Sequence, residues 1–206
     1  MENEMNDLFN KIISVSLLET AAVLREITSG GSGSIISAAS LIADSMRFGG
    51  KLLLCGNGGS AADCQHMAAE FVCRLSGDRD RPGLPALALT TDTSFLTAYC
   101  NDYCFEDVFS RQVLALGRKG DVLMGISTSG SSENIIRAIR EANNIGMGTI
   151  SLSRKGGQSG QYADVAIEVD SNKTAVIQNV HMAVEHVLCY IVEELIFGEH
   201  STADKG

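Results

Sequence analysis

Five short apolar runs, each followed by a stretch with helical periodicity, limit what this chain can fold into. They are Lys51 to Cys55, Leu84 to Leu89, Asp121 to Ile126, Gly148 to Leu152 and Asp164 to Val169. Runs of this length without polar alternation read as strands covered on both faces, and the helical segments between them supply the crossovers that parallel pairing requires. Helices are expected over roughly Ser60 to Leu75, Thr93 to Leu116 with a break near Asp102, and Ser132 to Ile145. A long closing helix, about Thr174 to Leu195, carries Ile177, Val180, Val184, Val187, Leu188 and Ile191 on one wide apolar face. The pattern predicts an α/β fold with a five-stranded parallel sheet between helical layers.

Two helices are expected before the sheet. Leu8, Ile12, Val15, Leu18 and Ala22 stripe the first; Ile35, Ile36, Leu41, Ile42 and Met46 stripe the second, which Gly49 and Gly50 end. The sequence SGGSGS reads as a flexible break between them. The expected organisation is one domain over 1–206: a helical segment to about 48, an α/β core from about 50 to 198, and a frayed tail at 199–206.

The net charge of -9 argues against general nucleic-acid or anionic-membrane binding, which need a basic surface. The acidic start MENEMNDLFN and the lack of any bilayer-length apolar run make the cytoplasm the expected compartment. Six cysteines fall singly in apolar segments, without metal-ribbon spacing, and are expected to be buried thiols. The chain has 21 glycines against 2 prolines, and the glycines cluster in turns.

Two of those turns sit at strand ends, where ligands of open parallel sheets collect. The first run leads into Gly56-Asn57-Gly58-Gly59-Ser60, with Ser60 as the expected helix cap. The third leads into Ser127-Thr128-Ser129-Gly130-Ser131-Ser132. Backbone N–H groups and hydroxyls beside a helix N-terminus suit a phosphate, although such turns also occur as plain caps. Neither turn has Walker A or dinucleotide-binding spacing.

Two helices bear chemistry-capable side chains. His66 and Glu70 are four apart on the helix after the glycine turn, a pair able to hold a metal or move protons. In the closing helix Gln178, His181 and Glu185 share one face. His186 is rotated about 80° from Gln178 and lies roughly 12 Å further along, so spacing alone favours His181.

The segments GNGGSAADCQHMAAE (56–70), RPGLPALALTTDTSFLTAYCNDYCFEDVFSRQV (81–113), GDVLMGISTSGSSENIIRAI (120–139) and IQNVHMAVEH (177–186) closely resemble phosphoheptose isomerases of the SIS (sugar isomerase) superfamily. The resemblance implies a flavodoxin-like αβα sandwich and a homotetramer with active sites at subunit interfaces. It also implies interconversion of sedoheptulose 7-phosphate and D-glycero-D-manno-heptose 7-phosphate, a step toward nucleotide-activated heptose and lipopolysaccharide. By the same resemblance, substrate contacts fall on Asn57, Gly58, Gly59, Ser60, Glu70, Asn101, Asp102, Ser127, Thr128, Ser129, Ser132 and Gln178. One zinc per subunit falls on His66, Glu70, Gln178 and His186, with Glu70 and His186 catalytic. It thus selects His186 over His181. Val176, Cys104 and Ser131 depart from the residues common in relatives, which are arginine, glycine and asparagine. Alternatives are a non-catalytic SIS protein resembling the DnaA initiator-associating proteins, or an isomerase of another sugar phosphate. Glu70 and His186, which the non-catalytic type lacks, favour the enzyme.

Overall fold

The computed structural model describes residues 2–77 and 79–198; the tail expected at 199–206 lies outside them. The strands are β1 (Leu52–Gly56), β2 (Ala86–Ala88), β3 (Val122–Ser127), β4 (Gly148–Arg154) and β5 (Val165–Val169), all parallel in the order β2-β1-β3-β4-β5. The helices are α1 (Glu2–Glu26), α2 (Ser32–Arg47), α3 (Gly59–Val72), α4 (Thr93–Asp102), α5 (Val108–Leu116), α6 (Glu133–Asn144) and α7 (Thr174–Phe197). The expected α/β sandwich and long closing helix are present.

Side-chain alternation along the central strands divides the core into two layers. Leu52, Leu54, Met124 and Ile126 pack with α2, α3 and α7, whereas Leu53, Cys55 and Leu123 pack with α5 and α6. Both faces of β1 and β3 are buried, which is why their sequences carry no polar alternation. Gly125 lets α6 close on the sheet, because a Cβ there would lie 2.6 Å from Ile135 Cγ2.

Two local expectations, on SGGSGS and on the cysteines, are corrected. SGGSGS is not a flexible break: a π-helical turn at Ile27–Gly31 joins α1 to α2 within continuous helix. The α1 stripe does not enter the core, since Leu8, Ile12 and Leu18 are 53%, 53% and 66% exposed, and only Val23, Leu24 and Ile27 pack against it. Cys55, Cys64 and Cys189 are buried, but Cys73 and Cys100 are exposed and Cys104 is half-buried, its thiol bonded to Asp107. The break near Asp102 is real, with a short 3-10 turn at Phe105–Asp107 between α4 and α5.

Candidate active site

Adjacent strands β1 and β3 feed helices on opposite faces, α3 to one layer and α6 to the other. Their carboxyl ends therefore open into a crevice, as at the switch point of any doubly wound sheet. The glycine turn and the Ser/Thr turn form its two lips.

Gly58, not Ser60, is the N-cap of α3; its φ of 57° and ψ of −119° suit glycine, and no side chain caps the helix. Ser60 is buried inside the first turn. Gly56 is needed for close approach, because a Cβ there would lie 2.6 Å from Ser60 O. On the other lip, Ser132 is the N-cap of α6 without a side-chain bond to the helix. Its hydroxyl instead meets Ser127 Oγ at 3.1 Å, and Ser127 Oγ also accepts from Gly130 N at 3.1 Å. Ser129 is exposed, Thr128 half-buried. Both helix N-termini thus keep backbone donors without a side-chain cap, at the positive ends of their dipoles.

The lips are clasped together. Asn57 and Asn134 exchange two amide hydrogen bonds, each 2.9 Å, across the crevice. Asn57 keeps one N–H and one carbonyl lone pair for a ligand. Asn134 is buried, and nothing in the spacing pointed to it, since its partner lies 77 positions away.

Two turns into α3, His66 Nε2 lies 2.8 Å from His186 Nε2 on α7 and 3.8 Å from Glu70 Oε1. The His–His contact is a hydrogen bond, so one ring presents a bare Nε2 and the other an N–H. Of the two histidines of α7, His186 is therefore the one that meets α3, as the resemblance implied and spacing did not. Gln178 Nε2 donates to Asp63 Oδ2 at 3.1 Å, and the Gln178 amide lies against Gly59, occupying the space a Cβ there would need. Burial raises the Asp63 carboxyl, against the opposing effects of the Gln178 hydrogen bond and His66. Asp63 was missed, although Asp63, His66 and Glu70 recur at three- and four-residue steps on one face of α3.

His181 and Glu185 point elsewhere, into the protein interior. Both are 0% exposed, and none of their four polar side-chain atoms has a hydrogen-bond partner. Burial pushes His181 down to about 4 and Glu185 up to about 8, Asp63 adding to the second, so both are uncharged at neutral pH. Asn101 and Asp102 are exposed at the end of α4; they bond to each other and, among the described residues, not to either lip or to the histidines.

Among the described residues no three of His, Cys, Asp and Glu form a preassembled metal cage. The donor chemistry nevertheless suits zinc. The 2.8 and 3.8 Å separations straddle the roughly 3.4 Å edge of a tetrahedron built on ordinary Zn–N bonds. Gln178, the remaining expected ligand, faces Asp63 instead.

The SIS domain model matches residues 17–153. The chain is 49% identical over 198 residues to a phosphoheptose isomerase of Roseiflexus sp. strain RS-1, covering 96% of this chain and 100% of that one. Its fold superposes on a phosphoheptose isomerase from Neisseria gonorrhoeae with a TM-score of 0.84 and 41% identity, covering 90% of this chain and 99% of the other. One from Francisella tularensis gives 0.83 and 34%, covering 92% and 98%. The relatives span essentially its full length, and the crevice, the clasp and the histidine pair sit where the sequence resemblance falls. The chain belongs to the phosphoheptose isomerase family of SIS-domain proteins.

Proposed function

We propose that this crevice interconverts sedoheptulose 7-phosphate and D-glycero-D-manno-heptose 7-phosphate through an enediol. The observation that carries the reading is the meeting of His66 of α3, which has Glu70 beside it, with His186 of α7, near two uncapped helix N-termini. A non-catalytic SIS protein needs no such convergence of acid and base.

The phosphate is held by Ser127, Thr128, Ser129 and Ser132 and the N–H groups of α6, while Asn57, Gly58, Gly59 and Ser60 face the sugar. That remote anchoring orients the reacting carbons. Glu70 moves the proton between the two carbons, and His186 serves the oxygens, giving a proton to the carbonyl as the other hydroxyl loses one. Gln178, whose amide lies against the glycine lip, contacts the hydroxyls of the sugar.

His66, Glu70, Gln178 and His186 would hold one zinc ion per subunit, Gln178 turning from Asp63 to do so. Bound there, zinc supplies Lewis-acid polarisation of the substrate oxygens.

The unit is a homotetramer working in the cytoplasm. Exposed Leu8, Ile12 and Leu18 of α1 support assembly, since apolar stripes of this size call for a partner, and a second copy is the occupant they fit. No described helix is long and apolar enough to cross a membrane. Asn101 and Asp102, which among the described residues make no bond to either lip within one chain, contact the substrate from a neighbouring copy.

The direct test is incubation of purified protein with sedoheptulose 7-phosphate, followed by NMR. A new heptose 7-phosphate, with solvent deuterium appearing at the carbon beside the carbonyl, is expected. No product in metal-replete protein would defeat the assignment.

A further inference from the structure

α3 and α7 carry the groups that must meet, yet the contacts holding their far ends together lie away from the crevice. Ahead of β2, Arg81 lies between the two helices. Arg81 Nη2 donates to Glu70 O and Nη1 to Phe71 O, each at 2.8 Å, satisfying last-turn carbonyls of α3. The same guanidinium donates through Nε to Glu193 Oε1 of α7 at 2.7 Å, with a second bond from Nη2. The two side chains are 1% and 6% exposed. Arg79 adds bonds to Glu193 O at 3.0 Å and Glu194 Oε2 at 2.6 Å.

A planar, buried fork with donors committed in two directions fixes distance and angle in a way an ammonium on a flexible stem does not. One anchor is the backbone carbonyl of Glu70 itself. The other lies two helical turns beyond His186 on a rigid helix. We infer that Arg81 is a positioning residue for the isomerase site: with Glu193 it braces α3 against α7 and sets the placement of Glu70 relative to His186. The inference rests on the catalytic reading of those two residues. Arg81 touches neither the crevice lips nor any residue given a phosphate-binding role.

Arg81→Lys and Glu193→Asp keep both charges and shorten or soften the brace. Both variants are compared with wild type at a temperature well below unfolding, after circular dichroism and light scattering establish equal helix content and mass. A displacement on the order of 1 Å at reacting groups costs up to about 10²-fold in rate. The expected result is a kcat lowered at least about tenfold in each variant, KM within about twofold, and a double variant no slower than the worse single one. Wild-type kcat in the folded variants overturns the inference, as does a rise in KM with kcat unchanged, or losses that multiply in the double variant. Should Arg81→Lys fail to fold, Glu193→Asp, which leaves the bonds to Glu70 O and Phe71 O intact, decides by the same split. Glu70→Gln at near-normal activity would instead remove the underlying catalytic reading, so the two failures are distinguishable.

Discussion

His66 and His186 stand 120 positions apart in the chain and 2.8 Å apart between their Nε2 atoms. That contact joins the helix leaving β1 to the closing helix, over the end of the sheet where the two small-residue turns lie.

If the acid–base work rests on this junction, Glu70→Gln should lower kcat by at least about 10²-fold, the usual scale for losing a positioned proton-transfer group. Helix content should not change. His186→Gln should abolish activity and also reduce zinc retained after gel filtration, read by elemental analysis. Wild type should lose activity on chelation and regain it with zinc. Full turnover in metal-free protein would remove the cofactor from the scheme.

Gly59→Ala probes Gln178 from behind. The added Cβ overlaps the Gln178 amide, the far end of a flexible side chain, so the amide swings away at small cost to the fold. Stability should fall by less than about 1 kcal/mol, as for a surface change, while kcat/KM drops roughly tenfold or more. A large loss of stability with unchanged kinetics per folded molecule would show that Gln178 has no part in the site.

His181 should make itself felt through pH. Its folded-state pKa, held at about 4 by burial, lies below the ordinary value of 6.5. The stability it contributes is therefore complete above about pH 6.5 and is lost as pH falls through 4, by about 3 kcal/mol at most. Glu185, one turn on and raised to about 8, acts with the opposite sign, its contribution fading as pH rises from the carboxylate range through 8. Asp63 faces the same region and is also raised. The difference between wild type and His181→Asn isolates the histidine. In urea unfolding, wild type should lose stability relative to the variant between pH 6.5 and 4, and a flat difference would show that His181 titrates normally.

In the proposed tetramer, another copy covers the exposed stripe on α1. Ile12→Glu combined with Leu18→Glu should shift the mass in light scattering from tetramer toward smaller species and reduce activity in parallel. A variant that remains tetrameric would place the interface elsewhere.

The strands and most helices were legible in the sequence because burial of both sheet faces writes itself into local apolar runs, and helical faces into three- and four-residue steps. The α1–α2 junction was not legible: glycine and serine lower helix propensity, yet the neighbouring helical turns carry the backbone through as a π turn. The α1 stripe showed its period but not its occupant, since periodicity reports an apolar face without saying what covers it.

The site divides the same way. Small-residue turns at strand ends and the His66–Glu70 step are local patterns, and the sequence by itself placed them. Choosing His186 over His181, binding Gln178 to Asp63, clasping Asn57 to Asn134 and setting Arg81 between α3 and Glu193 join residues 77 to 120 positions apart. Those pairings depend on how α7 is rotated against α3 and how two crossovers bring β1 beside β3. Helical spacing fixes only angles within one helix, so tertiary packing alone decided which of the two histidines turned inward and which met its partner.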